Sequence, residues 1–497
     1  MEDIRQTERL ALTRVEQVMQ ALRERIASRA LAAGARVPSI RTMSEQIGVS
    51  KSTVVEAYER LVAEGALIAR RGSGFFVAGH GLTGAQGAQG AQGAFGPYGA
   101  FAARGPMGAA GPRLDREIDP LWLTRQSLET DARALRPGCG WLPASWLPQD
   151  AVRRALRAIA RDPHAQLTDY ASPPGLPALR QQLAWRLAQH GVEAAPQQIV
   201  LTDGGSQALD LLCRFLLEPG DTVVVDDPCY FNFQALLRVH RVKVVSVPYT
   251  PTGPDLAAFE RVLAEHRPRL YVTNSAIHNP TGATLAPTVA HRLLKLAEER
   301  DLLIVEDDIF ADFETDPAPR LAAFDGLARV VAIGSFSKTM TAAARCGYIA
   351  ARAEWIEPLV DLKLSVSFGN GELAADLVQR LLVDGTYRRY LDGLRAKLAD
   401  AMGETLRRLA SVSITAWTRP QAGMLLWAQL PDGLDAARVA REALAHGVVL
   451  APGNVFSVSR SAGSLLRFNV SQCNRPKVYE TLQRAMERAM EGDIEPA

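Results

Sequence analysis

Residues 330–339 read Val330-Val331-Ala332-Ile333-Gly334-Ser335-Phe336-Ser337-Lys338-Thr339. The first five residues are apolar or small, as in a buried β-strand, and hydroxyl residues follow, as in a turn. A lysine in such a turn can lose its proton and act as an amine nucleophile toward an aldehyde. A lone lysine in a Ser-rich turn is more often an ordinary surface residue, so the rest of the chain decides its role.

The residues around Lys338 also suit a phosphate group. The hydroxyls of Ser335 and Ser337 and the guanidinium of Arg345 can all donate hydrogen bonds to phosphate oxygens. Pyridoxal phosphate (PLP) is the common cofactor that is both an aldehyde and a phosphate ester. The stretch therefore predicts a PLP site in which Lys338 forms the Schiff base.

Apolar runs typical of β-strands alternate with amphipathic helical segments over most of the chain. This alternation predicts an α/β fold with a mostly parallel sheet, whose ligands lie at the carboxyl ends of the strands. The runs occupy residues 198–202, 222–226, 242–247, 270–274, 302–306 and 330–334.

Two of these runs end in groups that could bind a phosphate or a ring. After the first run, the backbone N–H groups of Gly205, Ser206 and Gln207 would point at an anion from a helix start. After the second, Tyr230 could stack on a ring, although a tyrosine of the core is equally compatible with this position.

Two further turns offer polar groups to a pyridine ring. Asn279, in the rigid turn His278-Asn279-Pro280-Thr281-Gly282, could donate a hydrogen bond to a ring oxygen. The carboxylates of residues 306–308 follow a strand, and one of them could pair with a protonated pyridine nitrogen. A solvated acidic turn is the plain alternative.

Taken together and in this order, these motifs resemble the fold type I PLP enzymes of the class I/II aminotransferase family, over about Leu135 to Ala489. The run Tyr170-Ala171-Ser172-Pro173-Pro174-Gly175 belongs to the same resemblance. It implies Lys338 as the Schiff-base lysine, Asp307 as the pyridine partner, Asn279 as the ring-hydroxyl donor and Tyr230 as the stacking ring. It further implies that Gly205, Ser206, Gln207, Ser335, Ser337 and Arg345 hold the phosphate.

The resemblance also carries a substrate residue and a dimer. Arg467 matches the arginine that grips a substrate α-carboxylate as a bidentate pair. Tyr170 matches a residue that reaches the phosphate of the partner subunit, which implies a homodimer with shared sites. At one position the chain departs from the pattern. Phe310 stands where the enzymes usually carry a tyrosine, which puts efficient transamination in doubt but not cofactor binding.

The N-terminal part has helical patterns of a different kind. Residues 40–47 carry an apolar stripe at helical spacing, with Ser39 placed to cap the helix and Gly48 to end it. Ser50 is placed to cap a second helix over residues 51–63. Two short helices joined by a Gly-containing turn form a helix-turn-helix, which reads DNA in the major groove.

A helical pattern over residues 13–33 precedes this motif, and two strands around a basic turn at residues 66–77 follow it. The whole stretch from Ala35 to Val77 resembles the winged helix-turn-helix of GntR-family bacterial repressors. The predicted DNA-binding residues are Ser39, Arg41, Ser50, Lys51, Ser52, Thr53, Arg70 and Arg71.

The uneven distribution of charge along the chain agrees with a division into two different parts. From Arg14 to Ala78 there are ten Arg or Lys against six Glu, whereas the balance from Gly79 onward is −1. We therefore expect a polyanion partner for the first part only. The chain offers neither a membrane-length apolar run nor a signal peptide, and its five scattered cysteines fit reduced thiols in the cytoplasm. We expect no metal site.

The sequence thus predicts a winged helix-turn-helix over residues 10–78, a flexible Gly- and Ala-rich linker over 79–117 and an aminotransferase-like domain over 118–497. This arrangement resembles the MocR subfamily of bacterial transcription regulators. It implies a cytoplasmic regulator that binds operator DNA and senses a small amine or amino acid, or PLP itself, at the PLP site of Lys338. A working aminotransferase with an ancillary DNA-binding domain is the alternative. A PLP-binding dimerisation scaffold is a third possibility, which Arg467 disfavours.

Overall fold

The computed structural model describes residues 13–28, 30–70, 74–78, 120–129, 133–431 and 433–491. The chain divides into two compact units, Met1–Met107 and Gly108–Ala497. The predicted linker and Arg71 lie outside the described residues, and the predicted domain boundaries stay predictions. No helix of the described segments is long and apolar enough to cross a bilayer.

The first unit is a winged helix. Its helix-turn-helix forms because Ser39 and Ser50 accept hydrogen bonds from the N–H groups of residues 42 and 53, each at 3.2 Å. Gly48 ends the first of these helices in the left-handed region, at φ 72°. The two strands pair antiparallel as the wing. The elements are α1 (Arg14–Ala27), α2 (Ile40–Ile47), α3 (Lys51–Ala63), β1 (Leu67–Arg70) and β2 (Gly74–Val77).

The three helices enclose a small core of their own, which includes Leu22, Met43, Tyr58 and Leu61. The hydroxyl of Tyr58 also donates to the carbonyl of Pro38 at 2.8 Å. Helix α1 is shorter than the predicted 13–33 segment, because its apolar periodicity stops at Ile26 and the chain turns at Ser28.

The second unit is built on an eight-stranded sheet with the order β3-β10-β9-β8-β7-β4-β5-β6. The pairs among β9, β8, β7, β4 and β5 are parallel, whereas β10 runs antiparallel to both of its neighbours. The predicted mostly parallel sheet is confirmed. The strands are β3 (Ile199–Thr202), β4 (Thr222–Asp227), β5 (Lys243–Thr250), β6 (Gly253–Pro254), β7 (Leu270–Thr273), β8 (Leu303–Asp307), β9 (Val330–Ser335) and β10 (Gly347–Ala350).

A second, antiparallel sheet with the order β11-β12-β14-β13 forms the smaller α+β part of the same unit. Its strands are β11 (Thr415–Ala416), β12 (Leu425–Gln429), β13 (Ala451–Pro452) and β14 (Leu465–Asn469). Buried residues of both parts, among them Leu201, Ile304, Leu426 and Phe468, belong to one apolar cluster.

Helices cover the sheets and connect the successive parallel strands of the large sheet. They are α4 (Pro120–Glu129), α5 (Gln149–Arg161), α6 (Pro177–Gln189), α7 (Gly205–Leu216), α8 (Phe231–Val239), α9 (Leu256–His266), α10 (Pro287–Glu299), α11 (Leu321–Asp325), α12 (Ile356–Ser367), α13 (Glu372–Val383), α14 (Thr386–Ser411), α15 (Ala436–Ala445) and α16 (Pro476–Glu491). The strands β4, β7, β8 and β9 are parallel and therefore present their carboxyl ends at one edge of the sheet. The sequence motifs lie at this edge.

Candidate cofactor site and DNA-binding surface

Lys338 lies in the turn after β9 and is partly buried. Its Nζ donates a hydrogen bond to the carbonyl oxygen of Gly140 at 2.7 Å. Burial and the nearby charge of Arg467 lower the pKa of Lys338 to about 8. A substantial fraction of this amine is therefore neutral near physiological pH, as a nucleophile toward an aldehyde requires.

Two of the three consecutive carboxylates after β8 are committed to structural partners. Glu306 accepts hydrogen bonds from the N–H groups of Leu321 and Ala322, at 2.7 and 2.8 Å, at the start of α11. Asp308 forms a two-pronged ion pair with the buried Arg320, at 3.1 Å for each prong. Both carboxylates are thereby held in place by the fold.

Asp307, which lies between them in the sequence, is not committed to a structural partner in this way. It is buried, it accepts a hydrogen bond from the N–H of Ile309 at 3.1 Å, and it forms no ion pair with a cation of the described residues. Burial raises the pKa of Asp307 to about 7. A buried carboxyl group of this kind is stabilised in its charged form by a cationic ligand, such as a protonated ring nitrogen.

Arg467, on β14, is a buried cation without an anionic partner among the described residues. Its Nη1 donates to Oδ1 of Asn279 at 3.0 Å and its Nη2 donates to the carbonyl of Gly138 at 2.7 Å. Its Nε has no hydrogen-bond partner in the part of the chain that the structure describes, and its guanidinium lies 4.7 Å from the ring centre of Phe456. Burial lowers the pKa of Arg467 to about 10. Such a group favours an incoming carboxylate.

The contact with Arg467 also fixes the orientation of Asn279. A guanidinium has only donors, so Asn279 must present its oxygen to Arg467. The amide nitrogen of Asn279 then points elsewhere and keeps its donor capacity for a ligand. This donor role was predicted from the sequence, but the contact that orients Asn279 was not.

A cup of hydrogen-bond donors, formed by Ser335, Ser337 and Arg345, lies at the end of β9. The hydroxyls of Ser335 and Ser337 are 3.0 Å apart, and Nη1 of Arg345 donates to the hydroxyl of Ser337 at 3.3 Å. Nη2 of Arg345 donates to the carbonyl of Asp203 at 3.1 Å. A Cβ atom at Gly204, whose φ is 87°, would lie 2.7 Å from this Nη2. Only glycine leaves the room that the guanidinium occupies.

Helix α7 starts at this cup, at Gly205, and no side chain caps its start. The first N–H groups of a helix have no partner within the helix, so those of Gly205, Ser206 and Gln207 are available to an anion. The side chain of Gln207 instead turns back, and its oxygen accepts the N–H of Asp203 at 2.6 Å. Only the backbone of Gln207 is thus positioned for the predicted phosphate contact.

Tyr230 precedes α8 and packs against Phe231 and Phe233, with ring centres 4.9 and 5.4 Å apart. Burial raises the pKa of Tyr230, and the carboxylate of Asp307 raises it further. The tyrosine therefore lies near the predicted pyridine partner, in the neutral form that stacking on a ring favours.

The structure does not bring Tyr170 to this cluster. Its side chain is 81% exposed and packs against Phe368, with ring centres 4.9 Å apart. Phe310, in contrast, is buried next to Phe313, with ring centres 6.0 Å apart. Because a phenyl ring has no hydroxyl, Phe310 donates no hydrogen bond to a ligand.

Several residues that support the site were not predicted from the sequence. Gly140 accepts the Lys338 hydrogen bond, and a Cβ there would lie 3.6 Å from Nη2 of Arg467 and 3.8 Å from Nζ of Lys338. Thr339, next to Lys338, is buried and shares hydrogen bonds with Tyr387, at 2.8 Å, and with Asp312, at 3.1 Å. No local signal marks these residues, because their partners lie far away in sequence.

These groups fit PLP. The amine of Lys338, whose pKa is lowered, matches the aldehyde of PLP, and the buried carboxyl group of Asp307 matches the ring nitrogen. The hydroxyl, guanidinium and N–H donors of the cup match the phosphate. The amide nitrogen of Asn279 matches the ring oxygen. When bound, PLP supplies an electron sink for the bonds at the amine-bearing carbon of a ligand.

In the winged helix, the predicted DNA-binding side chains fall into two groups. Ser39 and Ser50 are used as helix caps. Lys51 and Ser52 are exposed at the start of α3, where a helix-turn-helix meets the major groove, and Thr53 is partly exposed beside them.

The remaining basic residues are also at the surface. Arg41 is 80% exposed and forms an ion pair with Glu45 at 3.1 Å. Arg70 is exposed at the end of β1, with its guanidinium 4.7 Å from the ring centre of Phe76.

Two protein families match the chain, one in each part. Bacterial regulatory proteins of the gntR family match residues 14–77, and aminotransferase class I and II matches residues 142–485. The uncharacterized HTH-type transcriptional regulator YdcR of Escherichia coli is 30% identical over 93% of this chain and 95% of its own length. The chain belongs to the MocR subfamily of GntR-family regulators.

Relatives of the aminotransferase-like part of this MocR protein include enzymes. The 2-aminoadipate transaminase of Thermus thermophilus is 32% identical over 72% of this chain and 91% of the enzyme. The solved structure of the α-aminoadipate aminotransferase LysN from the same organism, complexed with N-(5'-phosphopyridoxyl)-L-leucine, is 26% identical. It superposes with a TM-score of 0.68 over 76% of this chain and 96% of that chain. The predicted fold and the PLP cofactor are confirmed.

Proposed function

We propose that this MocR protein binds operator DNA through its winged helix and changes that binding when an amino acid enters the PLP site. The observation that carries the proposal is Arg467. A buried guanidinium with an unpartnered Nε, located beside the amine of Lys338, is suited to the carboxylate of a ligand whose amino group reacts at the same site.

The residues of the site would divide the work as follows. Lys338 would hold PLP through its neutral amine, at the position where the amino group of a ligand would also react. Asp307 carries the negative charge that keeps the ring nitrogen protonated. Asn279 donates from its amide nitrogen to the ring oxygen, and Arg467 binds the carboxylate of the ligand in two hydrogen bonds. Ligand binding changes the charge around Arg467, which favours one state of the protein over another.

We further propose a homodimer that acts in the cytoplasm. Tyr170 and Phe368 are exposed to 81% and 67% although both are large aromatic residues in contact with each other. An exposed pair of this kind is typical of an interaction surface. A two-fold dimer would present two winged helices to paired half-sites on the DNA.

An active aminotransferase is the second candidate function. The similarity to transaminases and the presence of Lys338, Asp307 and Arg467 favour it. Phe310 disfavours rapid turnover, because it removes the hydroxyl that the enzymes usually present to the ring oxygen. Production of a 2-oxo acid from an amino acid by the unmodified protein, at a kcat of about 10 s⁻¹ that is typical of enzymes, would place this function first.

The test uses a duplex from the region upstream of the protein's own gene. PLP-loaded protein should bind it in preference to a scrambled duplex, and one of the twenty amino acids should change the affinity. Lys338→Ala should keep the basal DNA binding and lose the response. A normal response in Lys338→Ala would show that exchange at this lysine is not the signal.

A further inference from the structure

Helix α5 carries a stripe of arginines on its outer face. The inner face holds Val152, Ala155 and Ile159. Arg154, Arg157 and Arg161 repeat the same spacing two residues later, which places them about 200° around the helix axis, on the opposite side. All three are exposed, and none forms an ion pair or a hydrogen bond with another described residue.

More basic residues extend this stripe. Arg153 and Arg154 line one wall of a cavity of about 450 Å³, and Thr386 and Tyr390 of α14 line another. Arg389, in the same turn of α14, is exposed. The basic surface therefore continues from α5 onto the start of α14.

The acidic residues that border the stripe are already engaged. Asp150 pairs with Arg153 at 3.0 Å. At the other end of α5, Asp162 and Asp376 both pair with Arg380, at 2.5 and 2.8 Å. The charges of the stripe thus remain available to an external anion.

This clustering is hidden in the sequence, where the balance from Gly79 onward is −1. That balance led to the expectation of a polyanion partner for the N-terminal part alone. Net charge averages over a whole surface, whereas a polyanion responds to the local density of cations.

We propose that the stripe Arg154, Arg157 and Arg161 binds the phosphate backbone of DNA, as a second contact in addition to that of the winged helix. The stripe spans roughly 10 Å of helix axis. One strand of B-DNA offers a phosphate about every 3.4 Å of its own axis. Guanidinium groups bind phosphate oxygens well, and contacts of this kind add affinity without reading sequence. Among polyanions, DNA fits best because the same chain carries a DNA-binding domain.

The inference rests on operator binding by the winged helix, and the experiment separates the two. Full-length, PLP-loaded protein and its R154Q/R157Q/R161Q variant are titrated with the upstream duplex and with a scrambled duplex, between about 50 and 200 mM salt. A protein that binds neither duplex overturns both the proposed function and this inference.

The expected result for the variant is a shallower salt dependence with the same preference for the operator. Three lost phosphate contacts reduce the slope of log affinity against log salt by about 2.7 for each subunit whose stripe contacts the DNA. Across that fourfold range of salt, the unmodified protein should therefore lose at least roughly 40-fold more affinity than the variant, the figure for one contacting subunit. An unchanged visible spectrum of bound PLP verifies that the variant is folded.

A matched control removes the same charge elsewhere. R292Q/K295Q/R300Q neutralises three exposed basic residues on and just after α10, and it should keep the original slope. An equal effect in this control would mean that net charge alone acts, which overturns the proposal. An unchanged slope in the α5 variant would also overturn the proposal. The same holds for a variant whose subunit association, measured by sedimentation, is altered while its slope is not.

Discussion

The depressed pKa of Lys338 leads to a quantitative prediction about the capture of PLP by the cofactor-free protein. Only the neutral amine attacks the aldehyde. With a pKa of about 8, roughly 10% of the Lys338 amine is neutral at pH 7, compared with roughly 0.03% for a lysine at its ordinary value of 10.5. The site therefore makes the amine about 300-fold more available at neutral pH.

The rate of covalent capture should rise about tenfold per pH unit below about pH 8 and level off above it. Stopped-flow mixing with PLP, followed by the visible absorbance of the bound cofactor, gives the profile. PLP itself titrates in this range, so the same profile is measured with Nα-acetyl-lysine, corrected for the titration of that reference amine at a pKa of about 10.4, and then divided out. A rate that continues to rise tenfold per unit between about pH 8 and 10 would refute the structural basis for the lowered pKa.

The sign of the Arg467 effect can be tested in the same assay. A neighbouring cation disfavours the protonated amine, so Arg467 contributes to the lowered pKa after burial. Arg467→Met should move the bend in the profile to higher pH. Arg300→Gln, at an exposed arginine on a different element, should leave the bend in place. A bend that does not move in Arg467→Met contradicts this electrostatic role.

Four further outcomes follow from the site and the winged helix. Arg467→Ala should weaken the DNA-binding response to amino acids much more than the response to amines without a carboxylate, as measured by titration in the DNA-shift assay. Phe310→Tyr should raise 2-oxo acid production while PLP stays bound, and no increase would remove Phe310 as the cause of slow turnover. Lys51→Ala should weaken operator binding and reduce its salt slope by about one unit, with an intact PLP spectrum. Gly204→Ala should weaken PLP binding about tenfold in an absorbance titration, because its Cβ displaces Arg345 and its φ of 87° becomes strained.

The features that could be predicted from the sequence are those that depend on neighbouring residues. Lys338 follows an apolar strand, Asn279 lies in a distinctive proline turn, and the caps Ser39 and Ser50 flank short helical stripes. Each of these depends on a few consecutive residues. The positions of these elements in the structure agree closely with the predictions, apart from the end of α1.

Contacts between distant segments could not be predicted in the same way. Gly140 and Lys338 are 198 residues apart, and nothing near Gly140 indicates a hydrogen bond to a lysine. Likewise, the pattern at 306–308 shows three carboxylates, but only the folded chain shows that α11 and Arg320 engage the outer two. The exposed arginine stripe of α5 was missed because its charges cancel in the overall balance.

The guanidinium of Arg467 has no counter-ion among the described residues, and this has a practical consequence for finding the natural effector. A fold that buries a cation without a counter-ion is less stable than it could be, and a ligand that supplies the carboxylate raises the melting temperature. At about 100 times its dissociation constant, such a ligand stabilises the folded state by about 2.7 kcal/mol. Thermal-shift screening of a metabolite library against PLP-loaded protein would reveal the effector without any knowledge of the target genes. Arg467→Met is the reference protein. A compound that raises its melting temperature as well binds elsewhere and is not counted as an effector.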